Sequence, residues 1–245
     1  MVGEVTKGAD FFERRYQGEL LRVEAWSQDC IRVRLTLDPE PKPFDWAINP
    51  KAEGLDVAVE ATDTEVTLRC GKLAVTMSEQ DNRGVNGFEA PLRFTDAKTG
   101  HTLLEERQTL RVYPDCGHEL RPVEPSSFRA TARFAADPAE KLYGMGHNQY
   151  GFLNLEGCVI ELLQMNTHTV VPVVQSSRGY GFFWNNPAGG RVEFANNGTT
   201  WIANQTDQLD YFVFTGGSPA EIATNYARLT GFPSMMPDWA MGFWQ

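Results

Sequence analysis

Several things are scarce or missing in this sequence, and each absence removes a class of protein. No run approaches the ~20 consecutive apolar residues of a membrane-spanning helix, so no membrane partner is expected. Positive charge is short: 22 Lys and Arg stand against 32 Asp and Glu, a net charge of −10 with a sequence pI of about 4.9. Such a field repels phosphate backbones and anionic lipid. The arginines Arg14, Arg15, Arg22, Arg32 and Arg34 are scattered, without the aromatic-interleaved basic stripe of a groove binder, so nucleic acid is not expected either. Neutral ligands, sugars among them, fit better. Cys30, Cys70, Cys116 and Cys158 are far apart, with no CxxC pair and no Cys/His cluster, which points to free, mostly buried thiols. No spacing suggests calcium or zinc, and no metal or cofactor is expected. Residues Met1 to Lys7 lack the charged-then-apolar layout of a secretory signal, which makes a cytoplasmic protein the simplest reading. The sequons Asn197-Gly198-Thr199 and Asn204-Gln205-Thr206 are then turn and strand residues.

What is present is β pattern. The 245 residues, 42% apolar and 11% aromatic, suffice for one large or two ordinary domains and exclude a disordered chain, a coiled coil or a collagen-like repeat. Apolar and β-branched residues alternate in short runs bounded by Gly, Pro, Asn and Asp, the signature of strands. These runs are 20–26 and 31–37 around the loop Ser27-Gln28-Asp29, 65–70 and 72–77 around Gly71, then 128–134, 159–163, 169–174, 180–184, 191–194, 199–203 and 209–214. About a dozen strands at that spacing predict an all-β antiparallel sandwich or barrel. The proline-rich stretch Asp38 to Pro43 has strand pattern on both sides and reads as a loop within the domain. One helix stands out: Ser218 as N-cap, Pro219 in the first turn and Glu221 completing a capping box, with Ile222, Ala223, Tyr226 and Leu229 on one face and Gly231 and Pro233 ending it.

Beyond the helix, residues 239–245 carry no charge and three large aromatics, unlike an ordinary polar terminus. They read as the first core strand of a second domain. Asp207 and Asp210 are close in sequence, but an i, i+3 pair on a strand faces opposite sides, so they read as loop and strand-entry residues. Gly144, Gly146 and Gly151 suggest a phosphate loop only superficially, because no helix start follows them; tight turns with positive φ explain them. The residues on that loop, His147, Asn148, Gln149 and Tyr150, suit a sugar, whose hydroxyls pair with planar amides and imidazole.

From Ser218 to Gln245 the sequence resembles glycoside hydrolase family 31, the retaining α-glucosidases and α-xylosidases, at the junction where a β-sandwich passes into a catalytic (β/α)8 barrel. The junction motif of that family, Leu-Thr-Gly, prolines, then Trp-Ala-Leu-Gly-Phe-Trp-Gln, is matched by Leu229-Thr230-Gly231, Pro233, Pro237 and Trp239-Ala240-Met241-Gly242-Phe243-Trp244-Gln245. Upstream, Tyr143-Gly144-Met145-Gly146 is similar to its Tyr-Gly-Leu-Gly turn. The stretch from Val171 through Ser176-Ser177-Arg178-Gly179-Tyr180-Gly181 to Asn186 is similar to the strand pair around Ser-Ser-Lys-Gly-Tyr-Gly.

The resemblance implies a galactose-mutarotase-like antiparallel β-sandwich over residues 1–216, a connecting helix and linker over 217–237, and the start of a barrel over 238–245. Both catalytic aspartates of the family lie on barrel strands past the junction, so no catalytic residue is expected in this chain and the chain alone should be inactive. The substrate implied is an α-linked glucoside or xyloside, and the partner implied is the chain's own missing barrel. A polar loop at Gln164-Met165-Asn166-Thr167-His168 is implied to wall the barrel pocket, adding Gln164, Asn166 and Thr167 to His147 and Gln149 as substrate-contact candidates. The plainer alternative is a hydrogen-bonded hairpin turn, with His168 structural. Two other functions stay open: a stand-alone carbohydrate-binding module, and an aldose epimerase, which needs a His acid and a carboxylate base in one cleft.

Overall fold

The alternating runs become strands because each places one apolar row against a core. The computed structural model describes residues 3–78, 90–107, 117–149 and 151–242. Among them lie strands β1 (Glu4–Lys7), β2 (Phe11–Tyr16), β3 (Glu19–Ser27), β4 (Cys30–Thr36), β5 (Val57–Ala61), β6 (Glu65–Cys70), β7 (Leu73–Ser78), β8 (Leu92–Asp96) and β9 (Thr102–Glu105). There follow β10 (His118–Glu124), β11 (Ser127–Phe134), β12 (Leu142–His147), β13 (Val159–Leu162), β14 (Thr169–Ser176), β15 (Tyr180–Trp184), β16 (Gly190–Ala195), β17 (Gly198–Thr206) and β18 (Leu209–Thr215). The expected runs all appear, two of them (65–70 and 180–184) with the expected ends. The segments β1, β2, β5, β8, β9, β10 and β12 are strands that the pattern did not single out.

All pairings are antiparallel. One sheet runs β1-β2-β3-β4-β18-β15-β14-β12, a second β10-β11-β17-β16-β13, and a third β5-β6-β7-β8-β9. Both smaller sheets pack on the large one, β6 and β7 against β2, β3 and β4, and β10 and β11 against β4 and β18. The core between them holds Phe12, Val33, Val75, Phe94, Phe134, Phe182, Trp201 and Tyr211. Tyr211 and Phe182 stack at 5.1 Å between ring centroids, and Phe134 meets Tyr211 edge-on at 5.7 Å.

The large sheet is covered on its other face as well, so β4 and β18 are buried at every position. Cys30, Phe183, Phe212 and Phe214 face outward there and are capped by Ile222 and Leu229 of the helix α1 (Pro219–Thr230). Ser218 caps this helix by accepting from the Glu221 N–H at 3.3 Å, while Glu221 reaches back to the Gly217 N–H rather than to Ser218 itself. The buried face differs from expectation at two positions. Ala223 is exposed, and Asn225 is buried because its amide donates to the Thr215 carbonyl at 2.7 Å.

The proline-rich loop expected at Asp38 to Pro43 opens a longer strap, residues 37–56, that packs on this outer face, with Ile48 against the Phe183–Phe212 cluster and the Asn49 N–H donating to the Leu229 carbonyl at 2.7 Å. The chain end departs in part: Asp238–Ala240 form a 3-10 turn, with Trp239 76% exposed, and Phe243 to Gln245, where the barrel strand was expected, lie outside the described residues.

Candidate functional site: a polar rim at one end of the large sheet

The two loops picked from the sequence meet at one rim. β12 is the edge strand of the large sheet and pairs with β14, His147 opposite Thr169 and Gly146 opposite Val170. The register shifts between Gly144 and Gly146, so the Tyr143-Gly144-Met145-Gly146 segment is a bulged strand rather than a turn. The positive φ expected of the glycines is there, +121° at Gly144 and +78° at Gly146. A Cβ at these positions would lie 2.5 Å from the Val173 carbonyl oxygen and 2.1 Å from that of Thr169. Glycine is needed for close strand approach, and the bulge blunts an edge otherwise open to pairing. Met145 between them takes φ +66° and buries its side chain completely.

His147, Gln149, Gln164, Asn166 and Thr167 are all exposed at this rim, and hydrogen bonds divide them. Gln164 spends its amide on the backbone of Val170, donating to its carbonyl at 2.7 Å and accepting from its N–H at 3.0 Å. Gln149 donates to the Thr167 hydroxyl, which itself donates to the Asn166 carbonyl. The loop is a tight turn, closed by the His168 N–H donating to the Met165 carbonyl at 3.1 Å, with Thr167 at φ +69°. The loop is thus the hydrogen-bonded turn of the plainer alternative, with the Gln149, Gln164 and Thr167 side chains engaged in it, while the His147 and Asn166 side chains are exposed. Tyr150 lies outside the described residues. Phe152 and Leu153, 66% and 80% exposed, follow in the same connection; a signal was available in this apolar pair beside Gly151, and the sequence reading passed over it.

The remaining chemical candidates are engaged elsewhere. Asp210 is fully buried in β18, paired with Arg32 through Nε–Oδ1 at 3.0 Å and Nη2–Oδ2 at 2.5 Å. Burial pushes its carboxyl above the usual range, against the pull of the Arg32 charge. Asp207 binds Lys42 at 2.6 Å at the surface, so the two aspartates share no site. "Strand entry" thus understates Asp210, which is the buried anchor of a charge network.

A His–carboxylate pair does exist. His118 Nδ1 lies 2.9 and 3.0 Å from the Glu106 oxygens. However, Glu106 is 1% exposed and also accepts from the Leu92 N–H at 2.9 Å and the Tyr211 hydroxyl at 3.3 Å. With its acceptors committed to protein donors, this carboxylate is poorly placed as a sugar base. Burial lowers the His118 pKa, and the Glu106 charge and hydrogen bond outweigh that, leaving it raised. Among the described residues no group of His, Cys, Asp or Glu is arranged to hold a metal ion. The thiols of Cys30, Cys70 and Cys158 are free, and Cys116 lies outside the described residues.

A family model for the glycosyl hydrolase 31 N-terminal galactose mutarotase-like domain matches residues 20–193, from the second residue of β3 into β16. The chain belongs to this family. Alpha-xylosidase A of Aspergillus niger is 36% identical to this family 31 domain over 93% of the chain, and an uncharacterized family 31 glucosidase of Pseudescherichia vulneris is 34% identical over 100% of the chain. The chain spans 32% and 47% of those two proteins, well under two thirds of either. Among solved structures, a GH31 alpha-xylosidase from a soil metagenome complexed with xylose superposes with a TM-score of 0.91 at 36% identity, covering 99% of this chain and 36% of that one. No helix among the described residues is long and apolar enough to cross a membrane.

Proposed function

We propose that this domain is the non-catalytic front of a retaining α-glycosidase acting on α-xylosides or α-glucosides, and that its rim walls part of the substrate pocket of a barrel that follows it. The observation that carries the reading is the match over nearly the whole chain to a xylose-complexed GH31 alpha-xylosidase at a TM-score of 0.91. The chemistry agrees. Retaining glycosidases need two carboxyl groups about 5 to 5.5 Å apart at an accessible site, and the two carboxylates that stood out here, Asp207 and Asp210, are held in separate ion pairs, one of them buried, while the one His–carboxylate pair described, His118 with Glu106, is engaged in the core.

In this reading Gln164 and the Gln149–Thr167 pair fix the turn, and His147 and Asn166 offer hydrogen bonds to sugar hydroxyls. In the same reading the sandwich spans 1–216, the connecting helix and linker 217–237 and the barrel start 238–245; the end of β18 at Thr215 and the 3-10 turn that begins at Asp238 support these bounds. A reducing, cytoplasmic setting fits the free thiols. The experiment is to assay the product of the whole gene and residues 1–245 alone on 4-nitrophenyl α-xyloside and α-glucoside. The whole product should release nitrophenol and the chain alone should not; turnover by the chain alone would overturn the reading.

A further inference from the structure

The Arg32–Asp210 network does something specific to the strap. Three successive carbonyls are each held by buried or half-buried side-chain donors. Lys42 O accepts from Arg34 Nη1 at 3.1 Å and Gln208 Nε2 at 3.0 Å, Pro43 O accepts from Arg32, and Phe44 O accepts from Asn185 Nδ2 at 2.8 Å. Gln208 also accepts from the Lys42 N–H at 2.8 Å, and Asn185 is tied back to Asp210 at 3.0 Å. Phe44 sits at φ +45°, a conformation that costs a bulky residue free energy and persists only where its surroundings impose it. A buried ion pair is weak support for stability but good support for a fixed geometry.

What this fixed geometry presents is Trp46. Its ring rests on the buried Phe44 ring at 4.4 Å between centroids and is still 62% exposed. Exposed charges flank it in the strap: Asp45 precedes it, and Lys42, four residues earlier, is paired with Asp207 of the β17–β18 turn at 2.6 Å and lies 3.8 Å from Asp38. An apolar protein face would have to desolvate those charges, whereas a sugar ring stacks on the indole and leaves its hydroxyls for the carboxylates and water. The strap also starts at the rim end of the sheet, since Thr36, Asn185 and His147 all lie at that end by register.

We propose that Trp46 is a saccharide-stacking platform on the outer face, held in place by Arg32, Asn185 and Gln208, that takes a neutral α-linked sugar unit apart from those contacted at the rim. The choice of sugar rests on the α-glycoside reading above; the platform itself does not.

The test is an NMR titration of residues 1–245 with isomaltotriose and, separately, with free xylose, following the indole N–H of Trp46, assigned with Trp46→Phe. One stacked ring supports only millimolar affinity, so the Trp46 signal should shift and saturate with a midpoint of about 1–10 mM. Trp46→Ala should abolish the shifts, and Trp46→Phe should weaken binding several-fold. Asn185→Ala, which leaves the indole in place and frees the Phe44 carbonyl, should also weaken it several-fold. A Trp46 signal unmoved by either sugar, binding undiminished in Trp46→Ala, or shifts confined to the 147–149 and 164–168 backbone would overturn the platform. Undiminished binding in Asn185→Ala would overturn the role given to the network. None of these outcomes depends on hydrolysis by the whole enzyme, so the failure of one reading is distinguishable from that of the other.

Discussion

Replacing Asp210 with Ala should be among the most damaging single changes available in this domain, for a reason the geometry makes quantitative. The Arg32 side chain is 0% exposed, lies 4.5 Å from the Trp26 ring and 5.1 Å from the Phe212 ring, and among the described residues pairs with the carboxylate of Asp210 alone. Asp210→Ala leaves a guanidinium uncompensated in that apolar setting. Breaking a buried pair from one side costs ~3–5 kcal/mol, a large share of the ~5–15 kcal/mol that holds a typical domain folded. At ~2–4 °C per kcal/mol for a domain of this size, the melting temperature should drop by ~6–20 °C. Replacing both partners, Arg32→Met with Asp210→Leu, removes the stranded charge and should recover most of that loss, although the Pro43 carbonyl then loses its donor. Urea unfolding followed by tryptophan fluorescence gives both values. A loss under ~1 kcal/mol for Asp210→Ala, or a double variant no better than the single one, would refute the assignment of a buried, mutually dependent pair.

Other consequences are quickly checked. The His118 pKa is raised in the folded state by Glu106, so its contribution is fully present below the unfolded histidine pKa and is lost as pH rises through the folded value. The stability gap between the wild type and His118→Gln should therefore be wider at pH 6 than at pH 9 in urea titrations, and a gap independent of pH would contradict it. Gly146→Ala forces a Cβ to 2.1 Å from the Thr169 oxygen at φ +78°, and should cost ~2 kcal/mol or more by thermal melt while speeding amide exchange in β12. Ser218→Ala removes the N-cap acceptor of α1 and should cost ~1 kcal/mol in the same melt.

Strands with a clear apolar row were easy to read in the sequence, and strands with charge, proline or glycine in them were hard. β15 and β18 are buried on both faces and read as apolar runs, and β4 alternates Ile31, Val33 and Leu35 with arginines, whereas β2, with Phe-Phe-Glu-Arg-Arg-Tyr, reads as charged because its outer row is salt-bridged, Glu13 to Arg22 at 2.5 Å. β10 carries Pro122 and an exposed second half, and β12 carries two glycines, all features that count against a strand in a local reading and are tolerated at an edge or a bulge. The helix was legible nearly whole from Ser218, Pro219 and Gly231. Asn225 was not, because its burial depends on a carbonyl in β18.

For the candidate site, residue type suggested His147 and Gln149, and the family resemblance implied Gln164, Asn166 and Thr167. That the two loops share one rim required the β12–β14 register, and that Gln164 clasps Val170 required coordinates. Arg32 and Asp210, 178 residues apart, carry no mark in the sequence of their pairing.

The central claim is that the rim of this domain touches the sugar held by the barrel, and steady-state kinetics of the whole enzyme test it most directly. His147→Ala and Asn166→Ala should each lower kcat/KM on 4-nitrophenyl α-xyloside or α-glucoside by about 2- to 10-fold, the worth of one hydrogen bond, with the melting temperature unchanged. Wild-type kcat/KM in both variants would contradict the account.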